Sequence, residues 1–247
     1  MDYYIILRHF RKLTLKTLSQ INHTNFGGLN YYYKNHGKYD IIDISGYEDY
    51  GLSFNDGDRG PWGFNDNYMY ESAKKRLEVL SKGDKPFNLT MIGIDTHFPD
   101  GFSGEYTLDK FDDSYSNAYA TESYLLYNFI NWVREQKFYK DTTIVVIGDH
   151  LSMQKSFFKD IKKEDRYAFV CYINAPIDPV NKENRIYTAL DTYPTILGAM
   201  GVDINGNKLG LGINMFSEEK TLAEKYGFSY VDKELQKKSK FYYETIK

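Results

Sequence analysis

Two hydrophobic rhythms alternate along this chain. Over 68–80, Met69, Ala73, Leu77 and Leu80 recur at helical spacing, with Asp66 placed to cap the start. Over 115–137, Ala118, Leu125, Phe129 and Val133 form a longer stripe of the same period, and a shorter helix is expected over 190–200 around Pro194. The runs FNLTMIGI (87–94), TTIVVI (142–147) and RYAFVCYIN (166–174) show almost no polar alternation, as in strands covered on both faces. Strands alternating with helices predict a parallel sheet with helices on both sides, whose ligands gather at the carboxyl ends of the strands.

The flanks read differently. In 1–25, Arg8, Arg11, Lys12 and Lys16 stand against Asp2, and Ile6, Phe10 and Leu13 share helical spacing. That pattern predicts a short basic amphipathic helix, lying on a membrane surface or docked on the domain. Residues 22–66 are rich in Gly, Asn and Tyr and predict irregular segments with one short strand at 39–44. The loop 95–104 carries Pro99, Gly101 and Gly104, LGLG stands at 209–212, and 223–247 reads as a charged helical tail.

Composition narrows the classes. The 247 residues make one large domain or at most two small ones, and a net charge of −3 argues against a nucleic-acid binder. Aromatic content of 17%, with 24 Tyr and 16 Phe, suits a wet, sugar-facing surface but carries no geometry. Cys171 is the one cysteine, inside an apolar run, so an intramolecular disulfide is excluded and an inert buried thiol expected. No run approaches the ~18 apolar residues of a membrane span, and the opening lacks a secretory-signal pattern. As written, the chain is expected to stay in the cytosol.

Two of the apolar strands end in an acid and a histidine. FNLTMIGI runs into Asp95-Thr96-His97, and TTIVVIG runs into Asp149-His150. If both are parallel neighbours, two Asp and two His meet along one sheet edge. Carboxylate oxygen and imidazole nitrogen suit Mn²⁺, Mg²⁺ or Zn²⁺, and such an ion polarises a phosphoryl oxygen. From the residues alone the plainer alternative stays open: both Asp cap the segments that follow, and both His bond loop carbonyls.

The words around these pairs carry a resemblance. FYKDTTIVVIGDHL (138–151) resembles the Asp-His segment of the sulfatase and alkaline phosphatase superfamily. More narrowly it is similar to the branch of lipoteichoic acid synthases and the phosphoglycerol transferases that decorate periplasmic glucans. Further pieces agree in order: Phe26-Gly27-Gly28 before His36-Gly37, Trp62-Gly63-Phe64-Asn65-Asp66, Asp95 through Phe102, TALDTYPTIL at 188–197, and LGLG. The resemblance covers 26–222, leaving 1–25 outside it.

It implies an α/β fold: three-layer α/β/α, mostly parallel, alkaline-phosphatase/sulfatase-like. It also implies one Mn²⁺ or Mg²⁺ held by Asp149 and His150, and His97 against the glycerol-phosphate group. Asp95 and Trp62 would stand behind the site, with Trp62 an aromatic plug and Asp66 a helix cap; His36 sits beside a glycine in a turn. The implied activity is metal-dependent transfer of glycerol phosphate from a phosphatidylglycerol-type lipid donor to a glycan or polyglycerol-phosphate acceptor. The implied location is the inner membrane, with the catalytic domain facing the periplasm or outside.

The sequence also departs from the family. Its threonine nucleophile and a further metal carboxylate lie upstream of the segment resembling His36-Gly37, where Thr14, Thr17 and Thr24 stand without a recognisable nucleophile turn. Leu29 stands near the place of a basic substrate-binding residue, and the family's membrane helices have no counterpart. The resemblance therefore implies the C-terminal part of a catalytic domain, lacking its N-terminal strands and catalytically incomplete. The exposed sheet edge would favour self-association or a missing N-terminal portion. Two other readings follow: a non-catalytic glycan- or partner-binding remnant, and sulfatase or phosphatase hydrolysis with water as acceptor.

Overall fold

The computed structural model describes residues 2–8, 16–21, 28–37, 39–43, 47–48, 53, 59–60, 63–162 and 165–245. They fall into two compact units, 1–174 and 175–247. Trp62, Thr14 and Thr24 lie outside the described residues, as does the side chain of His36.

The first unit is built on a six-stranded sheet. In chain order its strands are β1 (Asp2–Arg8), β2 (Lys16–Ile21), β3 (Asp40–Ile42), β6 (Phe87–Gly93), β7 (Thr142–Gly148) and β8 (Val170–Ile173). Two-residue strands β4 (Arg59–Gly60) and β5 (Gly63–Phe64) form a separate ribbon. The spatial order is β3-β2-β6-β1-β7-β8. β2 is parallel to β3 and β6, whereas β1 is antiparallel to β6 and β7, and β8 is antiparallel to β7. Four strands thus share one direction, and β1 and β8 oppose them.

Within 1–25, where a basic helix was expected, the described residues 2–8 and 16–21 are strands β1 and β2, and residues 9–15 lie outside the described residues. The run Tyr3-Tyr4-Ile5-Ile6-Leu7 explains this, since aromatic and β-branched residues favour a pleated strand, and this one is paired on both sides. The condition left open above, that the strands ending in Asp95 and Asp149 are neighbours, is not met. β6 and β7 point the same way, but β1 lies between them, with Asp2 opposite Gly93 on one side and Gly148 on the other. Their carboxyl ends are level and about 10 Å apart, two inter-strand spacings.

Helices cover both faces of this sheet. On one, Phe87, Leu89 and Met91 of β6 and Ile144 and Val146 of β7 pack against α2 (Asp66–Ser81) and α3 (Ser114–Arg134). Met69, Tyr70, Ala73 and Leu77 of α2 and Phe129 and Val133 of α3 are buried there. On the other face, Ile92 packs with Tyr33 of α1 (Leu29–Gly37), joined by Leu29, Tyr39 and Ile41. Irregular chain was expected at α1. Its apolar face explains the helix, with Tyr33 against Tyr39 at 4.8 Å between ring centres. Three α/β/α layers are therefore present within the first unit.

In the second unit, α4 (Ala189–Ala199) opens with a reciprocal cap between Thr188 and Asp191. Asp191 also accepts from the backbone of Ile213, at 2.9 Å, on the hairpin of β9 (Lys208–Leu209) and β10 (Gly212–Ile213). A Cβ on Gly212 would stand 1.9 Å from the Leu190 carbonyl oxygen, so LGLG carries glycine where hairpin and helix touch. Three short helices follow: α5 (Leu222–Tyr226), α6 (Phe228–Leu235) and α7 (Lys240–Thr245).

A buried carboxylate pair joins α2 to β6. Asp66 is the first helical residue rather than the cap, which is Asn65, and its carboxylate turns to the strand end. It accepts from the backbone of Ile94 and Asp95, both at 2.9 Å, while Asp95 Oδ2 accepts from Asp66 N at 2.9 Å and from the Tyr106 hydroxyl at 2.5 Å. Burial pushes the Asp66 carboxyl well above its ordinary range, and the charges of Asp95 and Glu122 push the same way. Burial likewise raises Asp95 to about 6, against the bonds from Tyr106 and Asp66. Asp95 Oδ1 is buried and has no hydrogen-bond partner among the described residues, so a carboxylate there is poorly solvated.

The sign of the pH effect follows. Between the unfolded value near 3.8 and the folded value near 6, the folded chain binds more protons, so stability falls as pH rises through that window. Urea unfolding is expected to show Asp95→Asn gaining stability relative to the parent between pH 4.5 and 7.5. The gain is at most about 3 kcal/mol. A difference that stays constant or reverses over that range contradicts a raised Asp95.

Candidate functional site

The segment after β6 is a tight turn. His97 N donates to the Ile94 carbonyl at 2.9 Å, Gly101 N to the His97 carbonyl at 3.2 Å, and Phe102 N to the Asp95 carbonyl at 2.7 Å. Gly101 has φ +66, and a Cβ there would lie 2.6 Å from the Ala118 methyl of α3, so the turn can close only on glycine. Asp95 is consumed in the buried pair with Asp66. His97, two residues on, is partly exposed.

The segment after β7 holds Asp149 and His150. Asp149 Oδ1 accepts from His150 N at 2.9 Å, and Asp149 Oδ2 lies 3.5 Å from His150 Nε2. His150 Nδ1 lies 2.8 Å from the Leu151 carbonyl, and His97 Nδ1 lies 2.5 Å from the Phe98 carbonyl. A carbonyl oxygen only accepts, so in both histidines Nδ1 carries a proton, and whenever the ring is neutral Nε2 is the acceptor nitrogen. This backbone-anchored tautomer is the one found in histidines that bind metals through Nε2.

The pair can be tested for an ion on its own geometry. With the His150 ring neutral, Asp149 Oδ2 and His150 Nε2 are both acceptors, and two acceptors face each other comfortably only with a proton or cation between them. Donors at about 2.1 Å from one ion stand about 3.0 Å apart at a right angle and about 3.4 Å apart at a tetrahedral angle. The 3.5 Å separation is close to that bite. The donor types fit, and the set is a pair: no group of three or more His, Cys, Asp or Glu suited to an ion occurs among the described residues.

His97 belongs to the same electrostatic neighbourhood. Burial holds its imidazole below the ordinary value, the Asp149 charge acts upward and His150 downward. The balance favours the neutral ring.

The two segments are braced by residues that the sequence pattern did not single out. Buried Gln154 donates from Nε2 to Asp100 Oδ1 at 2.5 Å and accepts from Asp100 N at 3.3 Å, so it links the His97 turn to the Asp149 loop. Ser152 hydrogen-bonds the Tyr115 hydroxyl of α3, and its carbonyl accepts from Arg166 at 2.6 Å. Arg166 also lies 4.2 Å from the centre of the Phe158 ring. Gln154 stands in an ordinary polar stretch, so nothing local marked it; Asp100 was visible as part of the resembling segment but carried no assigned role. Of the residues expected at the site, Asp149 and His150 come together with His97 in their field. Asp95 turns away into the core.

The model of the Sulfatase family matches residues 13–202, a span that takes in both acid-histidine strand ends and α4. Phosphoglycerol transferase I of Escherichia coli, in strain SMS-3-5 and in a K12 strain, is 32% identical over 186 residues, 68% of this chain and 24% of that protein. The chain thus spans about a quarter of the length of the curated relatives it matches. A solved protein of the alkaline phosphatase superfamily from Vibrio parahaemolyticus superposes with a TM-score of 0.57 at 24% identity, over 79% of this chain and 48% of that one. The lipoteichoic acid synthase LtaP from Listeria monocytogenes superposes at 0.58 with 17% identity, over 82% and 53%. At those identities the superpositions establish the fold, and the family match goes further: the chain belongs to the sulfatase family.

Proposed function

We propose that this chain supplies part of the active site of a phosphoglycerol transferase, moving glycerol phosphate from a phosphatidylglycerol-type lipid to a glycan or polyglycerol-phosphate acceptor. The observation that carries the reading is the Asp149–His150 acceptor pair at the carboxyl end of β7, with neutral His97 in its field. The similarity to phosphoglycerol transferase I supports the substrate class. Asp149 Oδ2 and His150 Nε2 would hold one Mn²⁺ or Mg²⁺, which when bound supplies charge against a phosphoryl oxygen. The site would work at the outer face of the inner membrane, as the similarity implies.

The residues of this chain do three things in that reaction. Asp149 and His150 fix negative and lone-pair density where a cation is needed. His97, with its proton held by the Phe98 carbonyl, presents Nε2 as an acceptor for a glycerol hydroxyl and orients the headgroup. Gln154 and Asp100 keep these two loops in register. Overall, the phosphorus–oxygen bond to diacylglycerol breaks, a bond to the acceptor oxygen forms, and the acceptor's proton ends on the diacylglycerol hydroxyl. Among the threonines considered, Thr14 and Thr24 lie outside the described residues and Thr17 is on β2, so the structure assigns no nucleophile. We infer that the nucleophile and a further carboxylate act from elsewhere in the intact protein.

Calorimetry on this chain is expected to show weak binding of one Mn²⁺, lost in Asp149→Ala and in His150→Ala and weakened as pH falls, because the donors must be deprotonated. Binding that survives both substitutions contradicts the assignment. In the intact protein either substitution is expected to abolish turnover. Gln154→Ala is expected to cost roughly 10- to 100-fold in Mn²⁺ affinity or turnover, as for residues that orient ligands. Equal activity to the parent would show that the brace is irrelevant.

The lowered imidazole value gives a pH test. If His97 works as the neutral acceptor, kcat/KM rises with pH through a value below about 6.5 and is level by pH 7. His97→Gln removes that limb. A parent profile that falls over the same range would assign the imidazolium instead.

A further inference from the structure

The loop that leaves β7 with Asp149 and His150 returns to the strand end it left. Gly148 N donates to the Phe169 carbonyl at 2.8 Å and closes the loop at its neck. Just inside the neck, Arg166 on the returning limb reaches across to the outgoing limb, its Nη2 donating to the Ser152 carbonyl at 2.6 Å. Ser152 is three residues beyond Asp149, so their Cα atoms are at most about 11 Å apart. The guanidinium and the acid–histidine pair therefore share one neck.

Arg166 is held but not satisfied. A guanidinium has five N–H groups. Apart from the bond to Ser152, this one makes no hydrogen bond or ion pair with a described residue. Arg185 shows the same side chain where its role is to hold a fold: it donates to both carboxylate oxygens of Glu224 and to the carbonyls of Met215, Ser217 and Glu219. Arg166 is partly buried and has no such set of acceptors.

Its orientation is fixed as well. The guanidinium carbon lies 4.2 Å from the centre of the Phe158 ring. Phe158 stands edge-on to Phe157 at 4.9 Å, and Phe157 to Tyr115 at 5.1 Å. Tyr115 hydrogen-bonds Ser152 Oγ, so one aromatic cluster steadies both ends of the Arg166–Ser152 bond. A planar fork held in one orientation matches two oxygens of a phosphate with little further ordering cost. Net charge does not make this selection, because residues 149–168 hold four Lys and one Arg against four Asp and Glu. Of those acids, Asp165 is exposed and makes no ion pair with Arg166, and Glu164 lies outside the described residues.

We propose that Arg166 is a phosphate-contact residue of this site, its free N–H groups taking two oxygens of a phosphate ester. The identity of the ester rests on the phosphoglycerol-transfer reading. Both the headgroup of a lipid donor and a phosphate-bearing acceptor offer that chemistry. The contact itself needs neither Asp149 nor His150.

The test is calorimetric titration of the full chain, in metal-free buffer, with a glycerol-phosphate oligomer and with a short-chain soluble phosphatidylglycerol. Arg166→Gln is expected to weaken ester binding roughly tenfold. Arg166→Lys is expected to weaken it less, since an ammonium keeps the charge and a bond to Ser152 but not the fork. A loss confined to the oligomer puts an acceptor phosphate on Arg166, and one confined to phosphatidylglycerol puts the donor phosphate there. Ester binding that is absent in the parent, or equal in the parent and Arg166→Gln, overturns the proposal. So does a loss of Mn²⁺ affinity in Arg166→Lys as large as its loss of ester affinity, which would make Arg166 a brace acting through Ser152. The metal reading fails separately: Mn²⁺ binding that survives Asp149→Ala would remove the acid–histidine pair and leave the metal-free result standing.

Discussion

Two carboxylates buried beside each other fix the working end of this sheet. Asp66 satisfies backbone donors where β6 ends, and Asp95 satisfies a donor where α2 begins. The first turn of a helix always carries amides without intrahelical partners, so the exchange removes orphans on both elements. It is costly, because two buried carboxylates repel and lose hydration. What it secures is direction. With Asp95 held inward by Asp66 and Tyr106, the turn that follows carries His97 outward, toward the field of Asp149. Turning the Asp95 carboxylate outward to an ion would mean breaking the two hydrogen bonds that its Oδ2 accepts in the core.

The second constraint is the insertion of β1 between β6 and β7. It keeps the strand ends level but apart, so the site cannot be assembled by adjacent strands alone. The loops must bridge the gap, and the amide of Gln154 does so by bonding both the side chain and the backbone of Asp100. A carboxylate could accept from Asp100 N but would repel Asp100 Oδ1, and a lysine could reach Oδ1 but not accept from N. An amide does both. This places the positional precision of the site in a polar contact between loops, braced from the side by Tyr115 and Arg166.

These two constraints explain what could be read from the sequence. The buried strands and the helices α2, α3 and α4 were legible because their burial is periodic, and Asp149 and His150 because they terminate a strand with no polar alternation. β1 was not legible. Its apolar residues fit helical spacing as well as a strand, and the decision lay in pairing with segments about ninety and one hundred and forty residues away. α1 was obscured by its Asn, Gly and Tyr content, and only the apolar face formed by Ile92 and its neighbours selects a helix there. Asp66 reads locally as a cap. The competing partner, the end of β6, is distant in sequence and wins because both groups are buried. Polar contacts between distant loops leave no periodic trace, which is why Gln154 was silent.

The protonation state of His97 joins the two strand ends into one unit. Burial favours the neutral ring, and the negative charge of Asp149 opposes it. Any cation shared by Asp149 and His150 would offset that opposing charge, so a loaded pair favours the neutral ring more strongly than an empty one. The Nδ1 proton is already committed to the Phe98 carbonyl, so the neutral ring has one defined tautomer and its acceptor nitrogen a defined direction. A histidine in this state recognises a hydroxyl rather than a bare phosphoryl oxygen. On the function proposed above, glycerol phosphate would present both groups: phosphoryl oxygens to a cation at Asp149 and His150, and glycerol hydroxyls to Nε2 of His97.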